Sequence, residues 1–253
     1  MVLAREQLRT APKREGPLIV GDRRWTTLYR LAGVAAVFAA LIAPIAIAVF
    51  AIWPPPYDEG TAKWFALLQD NTILGPVSLD LLFVVVNILM IPVMLGLYIA
   101  LRRVSPSYIT LAVVTFFVGL AAFFATNPSV EMLWLSNQYA NATTEVQRTA
   151  AVGAGDALLA GFEGTAFHVN YILAQLAGIV IGLVILRSGV FSRTIGWLMV
   201  VGNAIGFGLY IPVVGLGLSA LAGMILWVWM IAMARGFFRI GRDDASMLAA
   251  ERG

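Results

Sequence analysis

Five polar side chains could do chemistry in an otherwise apolar chain: Asp80, Asn87, His168, Gln175 and Asn203. Asp80 and Asn87 stand seven residues apart, as do His168 and Gln175. A seven-residue step returns a helix to nearly the same face, so each pair would place two polar groups along one side of a helix. Set side by side, the two helices would form two rungs, Asp80 with His168 and Asn87 with Gln175. Burial and pairing act on an Asp–His pair in opposite senses, so it could exchange a proton near neutral pH. An ionisable group inside a membrane helix is a functional-site hypothesis by default. The candidate polar or ligand site is thus Asp80, Asn87, His168, Tyr171, Gln175 and Asn203, with Tyr210 towards the same end. A structural reading stands beside it. Residues 81–100 already suffice to span, which would leave Asp80 at the interface as a helix cap. The amides would then make interhelical hydrogen bonds, each contributing roughly 0.6–2 kcal/mol.

Other chemistry is excluded by what the sequence lacks. It has no Cys and one His, so thiolate metal sites, iron–sulfur clusters and multi-His metal sites are ruled out within one chain. No phosphate-binding G-x-x-x-x-G-K-[ST], H-E-x-x-H or G-x-S-x-G motif occurs. No metal and no cofactor is expected. Glu163 lies about 140° around a helix from His168, so it belongs at the helix entrance. Asp156 and Glu131 read as exposed loop carboxylates. Trp227 and Trp229 read as packing or lipid-facing residues.

The elements that must hold these residues follow from composition. The 253 residues are 60% hydrophobic and 12% charged, against about 25% charged in soluble domains. A bilayer core takes about 20 apolar residues per helix. Six runs qualify: 31–53, 76–101, 108–125, 164–186, 194–210 and 213–238. The fold class expected is an all-α polytopic bundle of six transmembrane helices. Residues 1–30 form a basic N-terminal tail, and 239–253 a C-terminal tail. Of the 17 Lys and Arg, only Lys63 and Arg148 fall on the opposite side from the termini. By the positive-inside rule both termini are cytoplasmic. Ala46-Ile47-Ala48 offers a signal-peptide pattern, but the apolar run continues to Trp53, so a retained span is expected. The bilayer itself is the expected partner, with a membrane protein or a second copy beside it, and no nucleic acid.

The longest loop, 126–163, reads as an outer amphipathic helical lid. Asn127-Pro128 can open one helix, and Thr144 with Gln147 matches a capping box for another. Asn141-Ala142-Thr143 is a lone glycosylation sequon.

Small residues mark packed faces. Gly164, His168, Tyr171, Gln175, Gly178 and Gly182 share one stripe of the fourth span. Gly196, Met199, Asn203, Gly206 and Tyr210 share one on the fifth. Gly178 with Gly182, and Gly202 with Gly206, make G-x-x-x-G pairs, which let backbones approach. Gly215, Ser219 and Gly223 make a small-residue row on the sixth. Pro212 should break the chain between the fifth and sixth spans.

The second half resembles an uncharacterised bacterial six-helix membrane family with a domain of unknown function. The resemblance rests on Ala166-Phe167-His168-Val169-Asn170-Tyr171-Ile172-Leu173, then Leu186-Arg187-Ser188-Gly189-Val190-Phe191-Ser192-Arg193 and Thr194-Ile195-Gly196-Trp197-Leu198. It implies a multi-pass inner-membrane protein and no known reaction. Three functions fit the sequence. The first is a non-catalytic accessory, regulatory or sensor protein. The second is a small-solute or proton-coupled transporter. The third is an intramembrane enzyme acting on a lipid or quinone-like substrate.

Overall fold

Where water is absent, every backbone amide needs an internal partner, so long apolar runs become helices. The computed structural model describes residues 25–57 and 59–250, with side chains through Arg242. Over these residues the regular elements are helical: α1 (Thr26–Ile52), α2 (Thr61–Asp70), α3 (Leu74–Ser78), α4 (Leu81–Leu101), α5 (Pro106–Thr126), α6 (Ser129–Asn141), α7 (Glu145–Phe162), α8 (Thr165–Ser188), α9 (Arg193–Gly206) and α10 (Gly215–Ala250). The N-terminal tail up to residue 24 lies outside the described residues.

Five stretches are long and apolar enough to cross a membrane: Thr26–Ile52, Leu81–Leu101, Pro106–Asn141, Glu145–Ser188 and Gly215–Arg242. The expected span over 194–210 is not among them. Its α-helix, α9, ends after 14 residues and tightens into a 3-10 turn, Phe207–Tyr210. Such tightening is common at helix ends. The break expected at Pro212 is present, with Val213 at φ 71°.

Two other boundaries differ from expectation. The second span begins at Leu81, not at 76, because α3 is separate and Asp80 takes a left-handed φ of 65°. Asp tolerates that conformation better than most residues. The carbonyl of Leu79 is drawn out of the helix ladder by two donors, Asn127 Nδ2 at 2.9 Å and Ser129 Oγ at 2.6 Å. Further along the chain, α10 continues as one helix past 238 to Ala250, with its apolar stretch reaching Arg242.

Six of these helices form a ring in the order α5, α8, α9, α10, α1, α4, closing most loosely between α4 and α5. The ring's buried core lies towards the 102–105 and 189–192 turns. It includes Tyr29, Leu97, Leu101, Ile109, Ile181, Ile185 and Phe237. Towards the far end burial thins out: no residue of α8 before Gln175 is buried.

A second apolar core, separate from the first, sits at that far end. Trp64, Phe65 and Leu68 of α2 pack with Met132 and Leu135 of α6, Ala151 and Phe162 of α7, and Leu79. The two helices expected within 126–163 are both present, and the Thr144–Gln147 capping box is formed. What sequence reasoning missed is α2. Its signal was the spacing of Trp64, Phe65 and Leu68, which places all three on one side of a turn.

Pro44 sits inside α1 and supplies no N–H, so the carbonyl of Ala40 loses its helical donor. Trp227 of α10 fills the vacancy, donating Nε1–H to Ala40 O at 2.7 Å. This gives Trp227 a bonding role that its sequence position did not show. Trp227→Phe should lower stability by about 1–3 kcal/mol by leaving that carbonyl unpaired. The loss should shrink in a Pro44→Ala background, where position 44 supplies its own N–H. Thermal unfolding of the four variants in detergent measures both.

Candidate functional site

The polar stripes expected on two separate helices face each other. The turn between α8 and α9 is short. Gly189 takes φ 67° there, and Ser192 Oγ caps α9 by accepting from Ile195 N. Arg239 of α10 donates to Val190 O at 3.2 Å and ties the turn down. The two helices must therefore run antiparallel as neighbours. Their register puts Gln175 beside Gly206, Asn203 beside Gly178, and Gly182 beside Gly196 and Val200.

The fit is reciprocal. A Cβ at Gly206 would overlap the Gln175 amide, and one at Gly178 would overlap the Asn203 amide. Each helix thus offers a glycine to hold the other's amide. Both amide residues are buried. Asn203 Nδ2 donates back to Met199 O at 2.7 Å. Gln175 Oε1 has no hydrogen-bond partner.

Further along the seam the hydroxyls take over. Tyr171 donates its hydroxyl to Gly206 O, where α9 passes into the 3-10 turn, at 2.9 Å, and lies 3.2 Å from Ser219 Oγ of α10. His168, which is exposed, places Nδ1 3.1 Å from the Tyr210 hydroxyl. The rings of Phe167, His168, Tyr171 and Tyr210 pack edge to face, stacked or tilted against one another. The site is a cluster of hydroxyl, amide and imidazole groups with aromatic walls. It can hold a ligand by hydrogen bonds and stacking.

The glycines divide between neighbours. Gly178, Gly182 and Gly206 serve the α8–α9 contact, whereas Gly202 faces Leu226 and Ile225 of α10. Gly215 sits in the tight turn against Leu209 O. Ser219 serves as a hydrogen-bonding group. Gly223 has open space where a Cβ would stand, so no helix packs there.

The two rungs expected between the second and fourth spans are not assembled. Among the described residues, no hydrogen bond or ion pair joins Asp80 to His168, or Asn87 to Gln175. The helices concerned, α4 and α8, scarcely touch. Asn87 is half-buried on α4. Asp80 sits at the head of α4, half-buried and without a side-chain capping bond. Burial pushes its carboxyl up to about 6. Tyr57 lies near enough to feel both Asp80 and Glu163. Its hydroxyl is pushed up to about 12, first by burial and then by those two charges.

The far-end helices have their own polar ties. Thr61 Oγ1 donates to Asp156, and Gln69 Nε2 donates to Ser136 Oγ at 3.0 Å and Asn137 Oδ1 at 2.9 Å. An open groove of about 540 Å³ runs between α6 and α7, lined by Trp134, Gln138, Asn141, Gln147 and Ala154 among others. It includes none of the candidate residues. Among the described residues, no group of three or more His, Cys, Asp or Glu is placed to hold a metal ion.

Comparison with family models, curated proteins and solved structures finds no match for this chain.

Two outcomes follow from the geometry. Gly206→Ala should destabilise the protein by about 1–3 kcal/mol through overpacking, while Gly223→Ala should leave the thermal transition unchanged. Asp80 is the second case. Its folded pKa is raised, so its contribution is fully present below the unfolded value of 3.8 and is lost as pH rises through about 6. Thermal stability should therefore fall between those values in the native protein, and Asp80→Asn should flatten that part of the profile.

Proposed function

We propose that this chain is a six-span protein of the bacterial cytoplasmic membrane, with both termini on the cytoplasmic side. In this reading it acts as a non-catalytic accessory, regulatory or sensor protein. The observation that carries the non-catalytic reading is the separation of its titratable groups. Asp80 sits beside Tyr57 at the head of α4, and His168 is bonded to Tyr210 at the α8–α9 seam. A proton-transfer couple would need them together.

The sixth span is supported by length. Fourteen α-helical residues rise about 21 Å and a four-residue 3-10 turn about 8 Å. Together they approach the roughly 30 Å of a hydrocarbon core. Orientation is supported by the distribution of Lys and Arg, and the separate core of α2, α6 and α7 then forms an outer lid. Membership of the six-helix bacterial family is part of the proposal and rests on the three stretches of resemblance in the second half.

A proton-coupled carrier is the second reading. It is favoured by Asp80, a half-buried carboxyl pushed up to about 6 at the junction of lid and bundle.

The absence of cysteine makes topology directly testable with single-cysteine variants. In intact spheroplasts a membrane-impermeant maleimide should label Asn141→Cys and leave Ser105→Cys unlabelled until lysis; the reverse pattern would contradict the orientation. For function, purification from membranes in mild detergent should yield a stoichiometric membrane partner or a homo-oligomer. Flux into proteoliposomes driven by a pH gradient and lost in Asp80→Asn would instead favour the carrier.

A further inference from the structure

The groove of about 540 Å³ between α6 and α7 is lined by two facing stripes. Trp134, Gln138 and Asn141 step by four and three along α6. Gln147, Ala150 and Ala154 step by three and four along α7. The groove exists because the α7 stripe turns from an amide to alanines, which are too short to fill the space opposite Trp134. Its floor is Leu135 and Ala151, both buried in the second core. Packing beneath the groove therefore holds its two walls apart.

The groove lies at the end of the α6–α7 hairpin remote from the bundle. Helix α6 starts where α5 ends, and α7 ends where α8 begins, so the 142–144 turn is the far tip. Residues 143 to 149 include Glu145, Gln147, Arg148 and three Thr, a composition suited to water and not to hydrocarbon. An acyl chain is thus not the occupant.

The hydrogen-bonding groups left free in the groove are set by the bonds already made. Asn141 Nδ2 donates to Asn137 O at 2.8 Å, which leaves Oδ1 as an acceptor. Gln147 Oε1 accepts from Thr143 N at 2.9 Å and Thr144 N at 3.3 Å, which leaves Nε2 as a donor. Gln138 is exposed, and among the described residues both ends of its amide are free. Two of the three amides are thus oriented before any ligand arrives, which lowers the cost of binding. Beside them the Trp134 ring is 61% exposed and offers a flat apolar face. No Asp, Glu, Lys or Arg lines the groove, so a phosphate or carboxylate would find no counter-charge.

We infer that this groove binds a short, neutral saccharide, with one sugar ring stacked on Trp134 and its hydroxyls on the Gln138, Asn141 and Gln147 amides. A hydroxyl donates and accepts at once, which matches a set holding both free donors and free acceptors. The C–H face of a pyranose is flat and apolar, which matches the indole. The volume falls within the roughly 300–1,000 Å³ of small-molecule sites. The inference goes beyond the function proposed above and holds whichever side of the membrane the lid faces.

Maltotriose and triacetylchitotriose provide neutral probes, and trigalacturonate the charged comparison. The full chain is held in phosphatidylcholine nanodiscs free of sugar-based detergent, and binding is read by saturation-transfer NMR. At least one neutral trimer should receive saturation, and trigalacturonate should not. Trp134→Ala and Gln138→Leu alter exposed side chains, so both should keep the thermal transition, and each should weaken binding, Trp134→Ala by about tenfold or more. Trp134→Tyr should restore much of the affinity. Ala154→Phe, which fills the groove from the exposed wall of α7, should abolish binding. Absence of transfer to both neutral trimers overturns the inference, as does equal transfer to trigalacturonate. Binding that survives both Trp134→Ala and Gln138→Leu overturns it too, whether or not Ala154→Phe folds. A cross-linked dimer lost in Ala154→Phe, with no saccharide bound by the native protein, would assign the groove to a second copy and overturn the saccharide assignment.

Discussion

The arrangement of α8 and α9 depends on one reciprocal contact, in which each helix places an amide against a glycine of the other. Gln175 fills the space that Gly206 leaves, and Asn203 fills the space that Gly178 leaves. The contact fixes the antiparallel register, and the rest of the seam follows from that register. With residue 175 beside 206, Tyr171 comes within reach of the last carbonyls of α9, and His168 within reach of Tyr210. Ser219 joins because α10 starts immediately beyond the turn that α9 ends in. In lipid, apolar burial gives no net drive between helices, so close packing and hydrogen bonds must hold them. Glycine-for-amide exchange supplies the close packing, while Asn203 Nδ2 bonds back to Met199 O of its own helix.

A second device of the same kind joins α1 to α10. Pro44 removes a donor from α1, and the indole of Trp227 replaces it from across the interface. Both devices leave a helix backbone group or side chain dependent on a neighbour. They differ in completeness. The Ala40 carbonyl is satisfied, whereas Gln175 Oε1 is not. The far-end helices form a separate unit with their own core, joined to the bundle partly through the Leu79 carbonyl and the Asp80 junction. The ring core and this second core leave the thinly buried length of α8 between them.

Much of this was legible in the sequence. Apolar run lengths located the long helices, because the bilayer allows little else, but missed where α10 ends by twelve residues, since its polar continuation stays helical. The stripe through His168, Tyr171, Gln175, Gly178 and Gly182 was visible from spacing, as was its counterpart on the fifth span. What spacing could not supply was the partner. Asp80 and Asn87 share the seven-residue step of His168 and Gln175, but a common period says nothing about adjacency in a ring. The short turn at 189–192 was the stronger signal, since it leaves α8 no choice of neighbour. The end of α9 was read as a continuous span because a 3-10 turn keeps the same apolar composition. Helix α2 was missed because its apolar set covers little more than one turn and looks like an ordinary loop until the second core is seen. Gly223 fits a small-residue row in sequence, yet its row passes from one neighbour to another and leaves the middle position open.

The glycine–amide exchange is tested most directly by a double-mutant cycle at Gly178 and Asn203, read by thermal unfolding in detergent. Gly178→Ala alone should destabilise by about 1–3 kcal/mol, because the Asn203 amide occupies the space of the added methyl. Combining it with Asn203→Ala should recover much of that loss, giving a coupling of about 0.5 kcal/mol or more between the sites. Strictly additive losses would contradict the account, since they would mean that the amide and the glycine do not share one space.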